Sequence, residues 1–260
     1  MLGHALGLER SENRAAGGAF QHYVVLMAHM VSQIPDALPF EQAAVLPLQL
    51  STAATGLFQQ DGLALVLPKA DPAERRETVL VWGGSTGVGS NAIQLARNAG
   101  YRVVATASPR NFDYMRSLGA AAAIDRNSPT AVDELVAAIG DGLLAGSLAI
   151  GTGSLPKVMQ LSARVPGAKR VSSASPSLVT RILALRAPHG VQVSGIWGGT
   201  LKDNEVGPAI YADFLPAALA TGAYRAEPKA EIVGHGLDAI PAGLKRLRKG
   251  VSAKKLVVTV

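Results

Sequence analysis

The chain contains no cysteine, which excludes disulfides, thiol catalysis and cysteine-ligated zinc together. Its five histidines, His4, His22, His29, His189 and His235, show no H-E-x-x-H or other ligand spacing. Each is expected in a loop or on the surface, and no metal site is expected. Aromatic residues are scarce, at 5%, and none is interleaved with the late basic residues Lys245, Arg246, Arg248, Lys249, Lys254 and Lys255. The excess charge of +6, from 25 basic and 19 acidic residues, therefore reads as a solvated helix end that complements the helix dipole, not as a nucleic-acid surface. Long apolar runs are missing too. Residues 42–60 carry no charge, yet Pro47, Gly56 and several polar side chains make them a poor membrane span. The first residues have neither the basic region nor the apolar core of a secretory leader. A soluble, cytoplasmic protein with no membrane or nucleic-acid partner is expected.

One more absence narrows the chemistry. The residues four after Tyr23, Tyr101, Tyr114, Tyr211 and Tyr224 are Met27, Ala105, Leu118, Leu215 and Pro228. No Tyr-x-x-x-Lys pair exists, so the acid–base dyad of the short-chain dehydrogenases is excluded.

What is present points to an α/β enzyme: 260 residues, 48% hydrophobic, with 28 glycines, enough for one large or two modest domains. The chain is organised around 78–96, an apolar run, a glycine-rich turn (Gly84, Ser85, Thr86, Gly87, Val88, Gly89) and apolar residues at helical spacing. Strand, turn and helix in that order aim free backbone N–H groups and the positive end of the helix dipole at an anion in the crevice. A dinucleotide pyrophosphate suits it, with glycines where the chain turns, where backbone meets phosphate and where helix packs on strand. Thr86 stands where the G-x-G-x-x-G pattern has its second glycine, so the context of strand and helix carries the reading. The alternative is an ordinary βαβ turn in which glycine serves packing alone. Gly83-x-Ser85-x-Gly87, followed by Asp203 and His235, also matches the order of an α/β-hydrolase with Ser85 as nucleophile. Against it, no H-G-G-G run precedes the turn.

About 20 residues past such a turn an NAD site places Asp or Glu on the ribose; this chain has Thr106, then Ser108 and Arg110. A missing carboxylate favours a 2′-phosphate, and Arg110 offers it a fork and Ser108 a hydroxyl, so NADPH is the expected cofactor. The plainer reading is that Ser108-Pro109 caps the next helix and Arg110 is solvated.

The periodicity predicts strands over 78–82, 101–106, 120–124, 147–150, 169–173 and 191–197. Helices are predicted over 90–99, 110–118, 130–139, 155–164 and 177–186. That alternation is a doubly wound parallel sheet. Before it come a strand over 20–27 and helical runs from Pro39 and from Ser51. After it come helices over 205–221 and 237–249 and strands over 231–233 and 255–260.

Together these residues resemble the medium-chain dehydrogenase/reductase superfamily, in its zinc-independent quinone and enoyl reductase branch, which includes fungal trans-acting enoyl reductase-like and zinc-binding oxidoreductase-like proteins. The resemblance is carried by Ile34-Pro35-Asp36 with Ala43-Ala44-Val45-Leu46-Pro47, by Val81-Trp82-Gly83-Gly84-Ser85-Thr86, by 106–112, by 197–200 and 202–207, and by 250–258. It implies a Rossmann unit over 56–202 and a GroES-like, β-rich catalytic unit, here incomplete, from 1–55 and 203–260. It implies hydride transfer from NADPH to a small-molecule enone, quinone or enoyl substrate. Ser51 and Thr52 would then lie near the nicotinamide, with Thr52 the candidate to polarise a carbonyl, or else a capping residue. Trp197 and Gly198 would offer backbone to the carboxamide, and Lys255 would approach the pyrophosphate. Zinc enzymes of the superfamily carry a cysteine ligand where this chain has Leu48, so no metal is implied. Because the sequence enters the barrel near its end, the resemblance implies weakened activity and an open edge, met by self-association or by a partner that completes the barrel. A dinucleotide-binding module without turnover, acting as a partner or regulatory subunit, is the alternative.

Overall fold

The computed structural model describes residues 1–12, 15–175, 177–188 and 190–260; His189 lies outside them. The chain opens with β1 (Leu2–Gly3), which pairs antiparallel with β2 (Val31–Ser32), followed by α1 (Phe40–Ala43) and α2 (Pro47–Phe58). The sheet is then built from β3 (Thr78–Trp82), α3 (Gly87–Asn98), β4 (Arg102–Ala107), α4 (Phe112–Ser117), β5 (Ala122–Asp125), α5 (Ala131–Ile139), β6 (Leu144–Ala149), α6 (Ser154–Arg164), β7 (Arg170–Ser173), α7 (Leu178–Leu185) and β8 (Gln192–Gly195). All its pairings are parallel, in the order β5-β4-β3-β6-β7-β8. β3 is buried along its whole length, as a central strand covered on both faces must be.

The order reverses between β3 and β6, because the chain runs outward through β4 and β5 and then returns to build the other half. Such a switch point leaves a crevice at the carboxyl ends of the strands, where the turn after β3 stands. One apolar core lies on the face covered by α2 and α3, with Leu50, Leu57, Ile93 and Leu95 fully buried; the other lies under α5 and α6, with Leu135, Val158 and Leu161.

The rest of the chain forms α8 (Val206–Pro208), a π-helical segment (Ala209–Phe214), α9 (Leu215–Thr221), β9 (Ala230–His235), α10 (Ile240–Arg248) and β10 (Lys255–Thr259). β9 and β10 pair in parallel with a register shift at Val257/Val258, apart from the large sheet. The sequence predicted an unbroken helix over 205–221. Pro216 has no N–H to give to the preceding turn and its ring crowds the carbonyl four residues back, so the hydrogen bonding loosens to the wider π pattern just before it.

The expected strand over 20–27 does not form. Its apolar residues meet no ladder partner, and Phe20, Tyr23 and Val25 are exposed. Helix α2 begins at Pro47 instead of Ser51, since proline is pre-set for the first helical position. No helix among the described residues is long and apolar enough to cross a membrane.

Candidate dinucleotide site

At the end of β3 the chain turns through Gly83, whose φ of +89° is costly for any residue with a Cβ. Two bonds from β4 fix this turn: the Gly83 N–H donates to Thr106 Oγ1 at 3.1 Å and the Gly84 N–H to the Thr106 carbonyl at 2.8 Å. Thr106 is fully buried, so its hydroxyl holds the turn and does not face the crevice. Thr86, at the position where the motif has glycine, is the N-cap of α3. Its Oγ1 donates to the Gly83 carbonyl at 2.7 Å and accepts from the Gly89 N–H at 3.0 Å. That cap starts the helix three residues before the predicted one.

The amides of Ser85, Gly87 and Val88 have no hydrogen-bond partner among the described residues, and all three residues are only partly buried. They are the donors that a helix start leaves for a ligand. The glycines divide their work. A Cβ on Gly84 would come within 2.6 Å of Met115 Sδ, and one on Gly89 within 2.2 Å of the Gly83 carbonyl oxygen, so both serve close packing of helix on strand. Gly87 instead faces the side-chain amide of Gln49, which a Cβ there would meet at 2.0 Å.

Lys255, the first residue of β10, reaches the same place. With the Gln49 amide turned as its surroundings require, Gln49 Oε1 accepts from Lys255 Nζ at 3.1 Å and Nε2 donates to the Val45 carbonyl at 3.2 Å. Lys255 forms no ion pair among the described residues, and burial lowers its pKa below the ordinary lysine value. An unpaired, desolvated ammonium beside free backbone amides is a setting for an anion, so these residues fit a dinucleotide phosphate. Gln49 escaped the sequence reading, because no motif marks it; its one signal is a place on α2 one turn before Thr52.

Thr52 faces the segment after β8. A Cβ on Gly198 would lie 3.0 Å from both the backbone nitrogen and Oγ1 of Thr52. The Thr52 hydroxyl donates to the Leu48 carbonyl at 2.7 Å. Trp197 is half-exposed, with its indole N–H on Glu9 Oε1 at 2.5 Å. α2 thus presents Gln49 to the glycine turn and Thr52 to Gly198. Ser51 points elsewhere. It is fully buried and bonded to Tyr211 Oη at 2.8 Å, while that hydroxyl donates to the Pro47 carbonyl at 2.9 Å. Leu48 is exposed.

Ser108 makes no side-chain cap bond, and the next turn is held instead by Asn111, whose side-chain amide donates to Ser252 Oγ at 3.1 Å. Ser108 and Arg110 stand at the carboxyl end of β4, Arg110 exposed. The hydrolase order is not realised: Asp203 pairs with Lys202 at 2.7 Å, His235 Nδ1 meets Thr259 Oγ1 at 3.0 Å, and neither is bonded to Ser85. His22, His29 and His235 are exposed as expected. His4, in the irregular segment after β1, is buried instead: its Nδ1 has no partner among the described residues, and desolvation pushes its pKa down to about 4.

No family model matches the chain. It is 46% identical over 268 residues to a dehydrogenase of Aspergillus niger, matching all of this chain and 75% of that protein. It is 40% identical over 261 residues to the zinc-binding alcohol dehydrogenase domain-containing protein cipB of Emericella nidulans, covering 100% of this chain and 72% of that protein. To the trans-enoyl reductase himH of Aspergillus japonicus it is 36% identical over 262 residues, covering 100% of this chain and 73% of that protein. Among solved structures, the CurK enoyl reductase superposes with a TM-score of 0.68 at 21% identity, over 89% of this chain and 66% of that one.

Proposed function

The chain belongs to the medium-chain dehydrogenase/reductase superfamily of oxidoreductases, and from that premise we propose that it is an NADPH-dependent, zinc-independent reductase of an enone, quinone or enoyl-type substrate. The observation that carries the reading is the anion setting after β3: the unpartnered amides of Ser85, Gly87 and Val88 with the unpaired Lys255 ammonium beside them. When bound there, the cofactor supplies a hydride from its nicotinamide ring. Ser85, Gly87 and Val88 hold its pyrophosphate through backbone N–H groups, and Lys255 neutralises it. Thr106 keeps the turn in shape from below. Trp197 and Gly198 offer backbone to the carboxamide, and Thr52, packed against Gly198, supplies a hydroxyl for polarising a substrate carbonyl. Its proton rests on the Leu48 carbonyl, so donation to substrate requires breaking that bond by turning the hydroxyl about Cβ–Oγ1. Leu48, where zinc enzymes of the superfamily have a cysteine, cannot ligate a metal.

NADPH oxidation with a panel of enones, quinones and enoyl thioesters, run beside an NADPH binding titration, tests the reading. Turnover with at least one acceptor class is expected; tight binding with no turnover across the panel would favour a binding module instead.

Cofactor choice follows from the end of β4. A charge-assisted contact from Arg110 to the 2′-phosphate is worth roughly 1.5 to 3 kcal/mol, so NADPH should bind about tenfold or more tightly than NADH. Arg110→Ala should shrink that ratio towards one, and equal affinities in the parent protein would contradict the assignment.

A further inference from the structure

Gln49 has a place in the site that the proposed function does not explain. Its amide lies flat on Gly87, close enough that a Cβ there would sit 2.0 Å from the amide carbon and oxygen. It therefore covers the helix start where the Gly87 and Val88 amides are without partners. It is also held in register. Nε2 is tethered to the Val45 carbonyl at 3.2 Å, which points Oε1 at Lys255 Nζ, 3.1 Å away. The ammonium, which has no carboxylate partner among the described residues, takes this neutral oxygen instead.

We propose that Gln49 is a displaceable plug of the phosphate site, lying over the glycine turn and occupying Lys255 until a dinucleotide phosphate takes both places. The proposal rests on the glycine turn being a dinucleotide site. A phosphate oxygen is a stronger acceptor for an ammonium than an amide oxygen, so the exchange runs towards the complex. The amide must still leave the space over Gly87, and the fraction of molecules with the turn uncovered scales the apparent affinity. Gln49 is thus an affinity-setting residue that holds the site closed, and Lys255 is its partner in both states.

An equilibrium titration of NADPH together with stopped-flow association, both read by cofactor fluorescence, on the full chain and on Gln49→Ala and Gln49→Glu tests this. Removing the plug should tighten binding by about threefold to tenfold, with the gain in the association rate, because the side chain no longer has to clear the turn. Glutamate should weaken binding by more than about tenfold, since its carboxylate pairs with Lys255 and repels the incoming phosphate. If Gln49→Ala weakens binding, Gln49 is a phosphate ligand; if it leaves both affinity and association rate unchanged, Gln49 is a bystander. Either result overturns the plug while leaving the site assignment in place. Absence of NADPH binding in the parent chain and both variants would bring down the site assignment beneath it.

Discussion

Replacing Gly89 by alanine is expected to destabilise the protein by about 3 kcal/mol and to abolish dinucleotide binding. In an ordinary helix the same change would stabilise by up to about 1 kcal/mol through propensity, so the sign depends on what the new methyl meets. Here it meets backbone: the Gly83 carbonyl oxygen at 2.2 Å and Gly84 Cα at 2.7 Å. Neither can yield cheaply, because Gly83 is tied by the Thr86 hydroxyl and amide and by Thr106, and Gly84 is packed under Met115. The helix must move off the strand, and the cap on Thr86 goes with it. Gly87→Ala is the contrast. Its methyl would meet only the flexible end of Gln49, so stability should stay within about 0.5 kcal/mol of the parent. Urea denaturation of both variants checks the pair; equal stabilities would contradict the packing account of Gly89.

The second large effect is a pH dependence carried by His4. Its pKa is pushed down to about 4 by burial, from 6.5. At neutral pH the ring is uncharged in both folded and unfolded chains and contributes nothing to the balance. As pH falls through 6.5 the unfolded chain takes up the proton and the folded one does not, so stability drops until the folded pKa is reached. At about 1.4 kcal/mol per pH unit over that window, the loss approaches about 3 kcal/mol. The buried, unpartnered Nδ1 gives the charged ring no compensation. Urea denaturation at about pH 7 and about pH 4.5 should show the parent losing roughly 2 to 3 kcal/mol more than a His4→Leu variant, whose carboxylates titrate alike. Equal losses would mean that His4 is charged inside the fold.

The two predictions draw on different parts of the sequence, and they show where sequence is readable. The β3–turn–α3 unit and the alternation over 78–197 were legible because apolar period, glycine position and strand length agree with one another there. All six strands of the sheet came through, displaced by a few residues at their ends. Thr86 looked like a flaw in the glycine motif and is the helix cap; local chemistry explains it once the turn is seen. The first fifty residues read poorly. The alternation over 20–27 promised a strand, but a ladder needs a partner, and partners are set by tertiary structure. Ser51 and Thr52 are neighbours in sequence, yet one helical step of about 100° sends Ser51 to Tyr211 and Thr52 to Gly198. Gln49 and the burial of His4 depend on contacts across long sequence separations, which no local pattern records.

The central claim is that a dinucleotide sits on the amides after β3. Amide hydrogen exchange, followed at single-residue resolution with and without saturating NADPH, addresses it most directly. The account predicts strong added protection at Ser85, Gly87 and Val88, and little change at Gly89, whose N–H is already given to Thr86. If NADPH binds while exchange at those three amides is unaltered, the cofactor lies elsewhere and the assignment is wrong.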